Sequence, residues 1–320
     1  MRRLLPWLLC VAACGAAAGA PREVVVIPPG ATLHSAADSL VAHGVIRSKG
    51  WFTLVARLSR KDRKLQTGAF SLPRGAGGIA ALRVLTGGHP LLTRFTVPEG
   101  FTLLDMAETA ERELGIPRDS FLLVTRDTAL LREFGVPAIS FEGFLRPDTY
   151  LFSRGVQAAT VVREMATTFR SEWDSVWDAT GRGLGLDRKG IVTLASIVEG
   201  EAQVDADRPL IAAVFLNRLQ RGMALQADAT VQYAIQLATT ERKNRLYEKD
   251  YGFPSPYNTY LHPGLPPGPV GAPSRKSLEA VIHPAVVPFL YYVAGPDGRH
   301  VFSRTYAEHL RAVRRARAAR

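Results

Sequence analysis

The feature of this sequence that most constrains its fold is an internal repeat in the first third of the chain. The segment Ile27-Pro-Pro-Gly-Ala-Thr-Leu recurs 70 positions later as Val97-Pro-Glu-Gly-Phe-Thr-Leu. Each copy predicts a strand, a Pro/Gly turn and a helix capped by a threonine, Thr32 in the first and Thr102 in the second. Two small α/β modules are therefore expected. The predicted strands are residues 24–27 and 94–97.

The order of elements in each copy resembles the start of LysM, a small glycan-binding module. Both helices are followed by a glycine and apolar residues, Gly44-Val-Ile46 in one copy and Gly115-Ile116 in the other. A common α/β unit duplicated as a scaffold would give the same pattern. Glycan binding and scaffolding both remain open for these modules.

The N-terminus has the features of an export signal. Two arginines precede Leu4 to Ala20, a run of 17 residues without charge. A bilayer span needs about 17 to 25 residues, so a cleaved signal and a retained anchor are both open. Val11-Ala-Ala-Cys14 also resembles a lipobox. In each case the chain from about Pro21 is expected outside the cytoplasm.

Charge and cysteine content exclude several functions. Net charge is +11, but seven arginines lie in the leader and the last ten residues, which leaves only about +4 on the body and disfavours nucleic-acid binding. Cys10 and Cys14 are the only cysteines, so the body has no disulfide and no thiol nucleophile. The seven histidines show no metal-binding spacing. Neither a metal nor another cofactor is expected.

The positions of proline and glycine and the periodicity of apolar residues predict the helices, strands and loops of the rest of the chain. A Pro/Gly-rich loop separates the predicted helices from a hairpin around Gly295-Pro-Asp-Gly298. A long loop of this kind is usually functional. The helices are predicted at 156–179, 188–201, from Asp207 with Pro209 in its first turn, from Asp228 as cap to Ile235, near 276–282, and from Thr305; the loop is 254–274, and the hairpin strands are 289–293 and 299–302.

Two carboxyl groups, Glu199 and Glu201, close the 188–201 helix. At about 100° per residue, Glu201 returns to within roughly 20° of Leu194 in the apolar stripe, whereas Glu199 falls about 140° away. A carboxyl on the buried face stays protonated nearer neutrality, as a general acid requires. Alternatively, Gly200 ends the helix and both acids are solvated.

Several motifs resemble the endolytic murein transglycosylase family, also called YceG-like. They are Glu142-Gly-Phe-Leu-Arg-Pro-Asp-Thr-Tyr150, Ala195-Ser-Ile-Val-Glu-Gly-Glu201, Ala213-Val-Phe-Leu-Asn-Arg-Leu219, Gly222-Met-Ala-Leu-Gln-Ala-Asp228, Tyr257-Asn-Thr-Tyr260, Gly264-Leu-Pro-Pro-Gly-Pro269, His283-Pro284 and His300-Val-Phe302. They occur in order over nearly the whole exported chain. Two positions depart from the family pattern: Ala202 replaces Thr or Ser, and Ala229 replaces Pro.

This resemblance implies cleavage of the bond between N-acetylmuramic acid and N-acetylglucosamine inside peptidoglycan strands. It implies Glu201 as the catalytic glutamate and a location at the outer face of the bacterial cytoplasmic membrane, with one N-terminal anchor. Glycan polymerases and penicillin-binding proteins are the implied partners.

The family chemistry needs one glutamate, because the 6-hydroxyl of muramic acid replaces the nucleophilic carboxylate or water of ordinary glycosidases. Amide and aromatic side chains suit sugar hydroxyls, acetamides and ring faces. A structural role stays open for each candidate, for example Asp228 as a helix cap. The residues predicted to hold the glycan are Gln226, Asp228, Tyr257, Asn258, Tyr260 and His300.

The predicted fold class is α+β, with LysM-like α/β modules before a mostly helical catalytic domain that carries the loop and the hairpin. Two other functions stay open: a non-catalytic peptidoglycan-binding adaptor, and a muramidase that uses water with Glu199 or Asp228 as second carboxylate. The predicted boundaries are 1–20 for the signal or anchor, 21–90 for the first module, 91–152 for the second module and linker motif, 153–187 for a connecting helix, 188–313 for the catalytic domain and 314–320 for a basic tail.

Overall fold

A computed structural model describes residues 20–28 and 30–319. The protein mixes helices with small two-stranded sheets, which confirms the α+β class. The described residues divide into two compact units: an N-terminal unit of residues 20–28, 30–94, 113–115 and 151–157, and a C-terminal unit of residues 95–112, 116–150 and 158–319. The domain boundaries expected from the sequence stay a prediction.

The N-terminal unit packs three helices against an antiparallel ribbon. Strands β1 and β2 pair from Arg22 opposite Pro73 to Ile27 opposite Gly68. Side chains alternate along a strand, so Val25 and Ile27 are buried while Val24 is half exposed. Phe52 and Phe70 complete the core. The elements are β1 (Arg22–Ile27), α1 (Leu33–Ala42), α2 (Lys49–Leu58), β2 (Gly68–Pro73) and α3 (Gly78–Gly87).

The second copy of the repeat also forms a strand, a turn and a helix, β3 (Leu92–Thr96) and α4 (Leu103–Leu114). Both threonine caps are confirmed. The hydroxyl of Thr32 accepts a hydrogen bond from the backbone N–H of Ser35 at 3.1 Å. That of Thr102 accepts from Asp105 N at 3.2 Å, and the Asp105 carboxylate accepts from Thr102 N in return.

The remaining elements belong mainly to the C-terminal unit. They are α5 (Arg118–Val124), α6 (Thr128–Phe134), β4 (Thr149–Ser153), α7 (Ala158–Glu172), α8 (Ser175–Gly183), α9 (Arg188–Glu201), α10 (Arg208–Gln220), α11 (Asp228–Thr239), α12 (Arg275–Ile282), β5 (Tyr291–Ala294), β6 (His300–Ser303) and α13 (Tyr306–Ala318). Strand β3 pairs with β4 and β5 with β6. Residues 254–274 contain no helix or strand.

Two helix predictions need correction. The helix expected over 156–179 is two helices, because Asp174 caps α8 by accepting from Val176 N at 2.9 Å. Asp228 does not cap α11: the cap position is Ala227, and Asp228 is the first residue of the helix, which continues to Thr239.

Helix α9 lies at the centre of the C-terminal unit and packs against α10, α11 and α12. Asp187 caps its start by accepting from Gly190 N at 2.7 Å. Every residue from Gly190 to Val198 is buried. A helix that is apolar on all sides belongs in a core, and this one carries its two acids at its far end.

The predicted location, at a membrane through one N-terminal anchor, is wrong. Within residues 20–28 and 30–319, no helix has the length and apolar character needed to cross a bilayer. The predicted leader, residues 1–20, lies outside the described residues apart from Ala20.

The two repeat caps give a matched pair of stability variants. We expect Thr32→Ala and Thr102→Ala each to lower the free energy of unfolding by about 1 kcal/mol, since each leaves a helical N–H without its acceptor. Urea unfolding of the full chain measures both. Unchanged stability in either variant would show that the cap does not stabilise its helix.

Candidate functional site

Glu201 is the last residue of α9, at the end predicted for this helix. Ile191, Leu194 and Ile197 of the predicted apolar stripe are fully buried, and the helix continues through Gly200 to Glu201. The alternative, in which Gly200 ends the helix and both acids are solvated, is therefore wrong. Glu201 opens into a cleft of about 530 Å³.

Five of the seven residues predicted for the site line this cleft together. They are Glu201, Gln226, Asp228, Tyr260 and His300. Helix α9, the segment before α11, the Pro/Gly-rich loop and strand β6 each supply part of the lining. The cleft is more polar than apolar in its side chains, which suits a hydroxyl-rich ligand better than an apolar one.

Two donors from distant segments hold the Glu201 carboxyl. Oε1 accepts from the backbone N–H of Ala229 at 3.3 Å, and Oε2 accepts from the Tyr292 hydroxyl at 3.0 Å. Removal from water, and next the nearby charge of Asp228, raises the pKa of Glu201 to about 7. At neutral pH this carboxyl is present in both protonation states, so it can give a proton and take one back.

Asp228 is held by a tyrosine hydroxyl from the Pro/Gly-rich loop. Tyr260 donates to Asp228 Oδ1 at 2.6 Å. Burial, followed by this hydrogen bond and the Asp228 charge, raises the pKa of Tyr260, so the phenol keeps its proton. The contact also orients Asp228 within the cleft.

Gln226 has an unusual backbone. Its φ is +52°, a left-handed conformation that costs a non-glycine residue on the order of 1 kcal/mol or more and that clusters at functional sites. Thr259 maintains it from both sides: its carbonyl accepts from Gln226 N at 3.1 Å and its hydroxyl from Ala227 N at 3.0 Å. The exposed Gln226 side chain is thereby directed to the cleft.

His300 is held by one carboxylate. Asp207 Oδ2 lies 2.7 Å from His300 N and 2.9 Å from its Nδ1. The ring meets Tyr292 edge to face at 5.3 Å between centroids. His300 thus supports Tyr292, the donor to Glu201, as well as lining the cleft.

Tyr257 and Asn258 do not line the cleft. Asn258 is fully buried, and its Nδ2 donates at 2.9 Å to the carbonyls of Tyr251 and Phe253. Its Oδ1 accepts from Tyr260 N at 2.9 Å. Tyr257 packs on Tyr233 with centroids 4.9 Å apart. Both residues shape the loop from within, and Asn258 presents Tyr260.

Tyr292 and Arg218 also line the cleft, although neither was predicted from the sequence. Tyr292 lies in a predicted strand, but nothing in the local pattern distinguishes it from Tyr291. Arg218 is buried; it donates at 2.7 Å from Nε to the Leu290 carbonyl and from Nη1 to that of Leu225. It thereby joins the segments before β5 and α11.

Glu199 is neither solvated nor in the cleft. Its carboxylate lies 3.0 Å from Arg208 Nη1, and both side chains are less than a tenth exposed. It is therefore removed from the reacting position of any ligand beside Glu201. In the part of the chain that the structure describes, no group of His, Cys, Asp or Glu side chains could hold a metal ion.

Comparisons with known proteins identify the family of this chain. A model of the YceG-like family matches residues 25–315. The endolytic murein transglycosylase of Bacillus subtilis is 29% identical over 301 residues, which cover 89% of this chain and 82% of the relative. That of Streptococcus pneumoniae (strain R6) is 28% identical over 331 residues; the match covers 92% of this chain but 57% of the longer relative.

A crystal structure of a YceG-like protein from Listeria monocytogenes has a similar fold. The TM-score is 0.62 at 27% sequence identity, with 92% of this chain and 99% of the other covered. Fold, cleft and relatives together define an enzyme of the lytic transglycosylase class. The chain belongs to the YceG-like family.

Neighbours of Glu201 should move its pKa in opposite directions. Tyr292→Phe removes a hydrogen bond that favours the carboxylate, so the pKa should rise above about 7; Asp228→Asn removes a charge that disfavours it, so the pKa should fall. Carbon-13 NMR titration of labelled glutamate carboxyls measures both, with Glu201→Gln assigning the resonance. Shifts of the same sign would contradict this account of the electrostatics.

Proposed function

We propose that this protein is an endolytic lytic transglycosylase of peptidoglycan, with Glu201 as its single general acid and base. The observation that carries the proposal is one carboxyl with a pKa near 7, held by two donors at the end of a polar cleft. The names of the relatives support murein as the substrate.

The reaction follows from the state of this carboxyl. Protonated Glu201 gives its proton to the glycosidic oxygen as the bond to the anomeric carbon of N-acetylmuramic acid breaks. The carboxylate then takes the proton of the 6-hydroxyl, whose oxygen bonds to the same carbon and closes a 1,6-anhydro ring. No water is consumed. The intramolecular attack gains from proximity.

Substrate contacts are proposed for the cleft-lining residues among those predicted. The carboxamide of Gln226 offers a donor and an acceptor to an acetamide or a hydroxyl. Asp228 with Tyr260, and His300, provide further polar contacts along the same cleft. Tyr257 and Asn258 would act through the shape of the loop.

A muramidase remains the second candidate, because one observation favours it. Asp228 lines the same cleft and its charge acts on Glu201, so it could activate water as the second carboxylate that hydrolysis requires. Glu199 is not such a candidate, given its position beside Arg208. The adaptor hypothesis has less support. Glu201 has two hydrogen bonds and a raised pKa, although the residue after it, Ala202, has no hydroxyl.

Two finer proposals come from the sequence. The repeated N-terminal modules would bind glycan in the manner of LysM. Cuts would fall within nascent strands, beside peptidoglycan synthases such as glycan polymerases and penicillin-binding proteins. Pull-down of the full chain with isolated glycan strands tests the first of these.

Removal of the titrating carboxyl of Glu201 should lower activity and raise stability at alkaline pH. Glu201→Gln should lower turnover on isolated peptidoglycan by about 10²-fold or more. Stability from the protonated Glu201 is fully present below pH 4.5 and is lost as pH rises through about 7. The free energy of unfolding of Glu201→Gln should therefore exceed that of wild type by about 3 kcal/mol at pH 8, and this difference should vanish below about pH 4.

The matched control is Glu164→Gln, an exposed residue of α7. It should change neither turnover nor the pH dependence of unfolding. An active Glu201→Gln enzyme would refute the assignment of the general acid.

Product analysis tests the class of reaction. Digestion of peptidoglycan in oxygen-18 water should leave new muramic ends as unlabelled 1,6-anhydro sugars, lighter than hydrolysed ends by one water molecule. Fragments of mixed length should precede disaccharides. Labelled reducing ends would favour the muramidase, and binding without new ends would favour the adaptor.

A further inference from the structure

The last three residues of α9 face three different neighbours. Successive helical residues are rotated by about 100°, so Glu199 and Glu201 cannot share surroundings. Glu201 faces the cleft. Gly200 approaches α11 so closely that an added Cβ would lie 2.6 Å from the Cβ of Ala229. Glu199 turns to the third side, toward α10 and α12.

Glu199 makes contacts that a solvated acid would not have. Its Oε1 lies 3.0 Å from Nη1 of Arg208, the first residue of α10. Its Oε2 accepts from Ser274 N at 2.8 Å and from the Ser277 hydroxyl at 2.9 Å. Arg208 also donates to that hydroxyl at 2.5 Å. The carboxylate is therefore fixed at the N-terminus of α12, where negative charge is favoured.

This network acts on the part of α9 that would otherwise be least constrained. The last turn of a helix has carbonyl groups without intrahelical partners and tends to fray. Glu201 is the last residue of α9, and its two hydrogen bonds require its carboxyl to stay between Ala229 and Tyr292. A displacement of about 1 Å at a reacting group can lower a rate by 10²-fold.

We propose that Glu199 is a positioning residue, which fixes the last turn of α9 through Arg208, Ser274 and Ser277 so that the Glu201 carboxyl is held in the cleft. In this segment Glu199 anchors the end of the helix, Gly200 permits the close approach to α11, and Glu201 supplies the acid. The role of the acid in this inference rests on the proposed function.

The main variant is Glu199→Gln, which keeps shape and removes the ion pair with Arg208. We expect kcat to fall about 10-fold with KM unchanged. In the free protein, the pKa of Glu201 measured by carboxyl NMR should fall from about 7 toward its ordinary value, because water reaches a carboxyl that is no longer held. Ser277→Ala removes one donor to Glu199 and should shift the pKa less, in the same direction; it serves also if Glu199→Gln does not fold.

The matched control is Asp205, the second carboxylate that pairs with Arg208. Asp205 lies 3.0 Å from Nε of Arg208 with its side chain 55% exposed. Asp205→Asn should leave both kcat and the pKa of Glu201 unchanged.

A merely structural Glu199 gives a different result. The thermal midpoint would fall in Glu199→Gln and Ser277→Ala, while kcat per folded molecule and the pKa of Glu201 stayed at wild-type values; that outcome overturns the proposal. Failure of the proposed function is seen separately, as an absence of anhydro ends from the wild-type enzyme. The NMR titration needs no substrate and decides the positioning role in either case.

Discussion

Two carboxyl groups stand at the carboxyl end of a helix that is otherwise buried, and the surrounding elements are arranged around this constraint. The negative end of the helix dipole disfavours both charges, and loss of water disfavours them further. Glu199 is paired with Arg208 and with the N-terminus of α12. Glu201 has no cation within ion-pair distance among the described residues, and its pKa rises to about 7 instead. The same helix end therefore holds one carboxylate in an ion pair and one carboxyl group that can carry a proton near neutral pH.

The cleft keeps its two carboxyl groups chemically distinct. Asp228 accepts from Tyr260 at 2.6 Å, whereas Glu201 accepts from Tyr292 and a backbone N–H at longer distances. Burial, and next the charge of Glu201, raises the pKa of Tyr292 well above its ordinary value, so this phenol remains a donor throughout. A donor that does not titrate can stabilise the carboxylate after proton transfer without competing for the proton. This is the environment that a single acid needs when it must act twice.

Local signals in the sequence predicted the elements that carry the site. The apolar positions Ile191, Leu194 and Ile197 predicted helix α9 and the direction of Glu201, because periodicity acts within a few residues. Asp228 could not be assigned in this way. Thr259 holds Ala227 N from the loop, and the helix begins at Asp228, one residue earlier than a cap at Asp228 would place it. Tyr292 was beyond prediction for the same reason, since it meets Glu201 across 91 positions of sequence.

The two departures from the family pattern fall around one carboxyl. Ala202 follows Glu201 and has no side-chain donor, so the orientation of the acid depends on other groups. Ala229 supplies one of them, through a backbone N–H at 3.3 Å from Oε1. A proline at that position has no N–H, and this contact therefore requires a residue other than proline. The small side chain of Ala229 also permits the close approach of Gly200, so one residue both receives the end of α9 and donates to the acid that α9 carries.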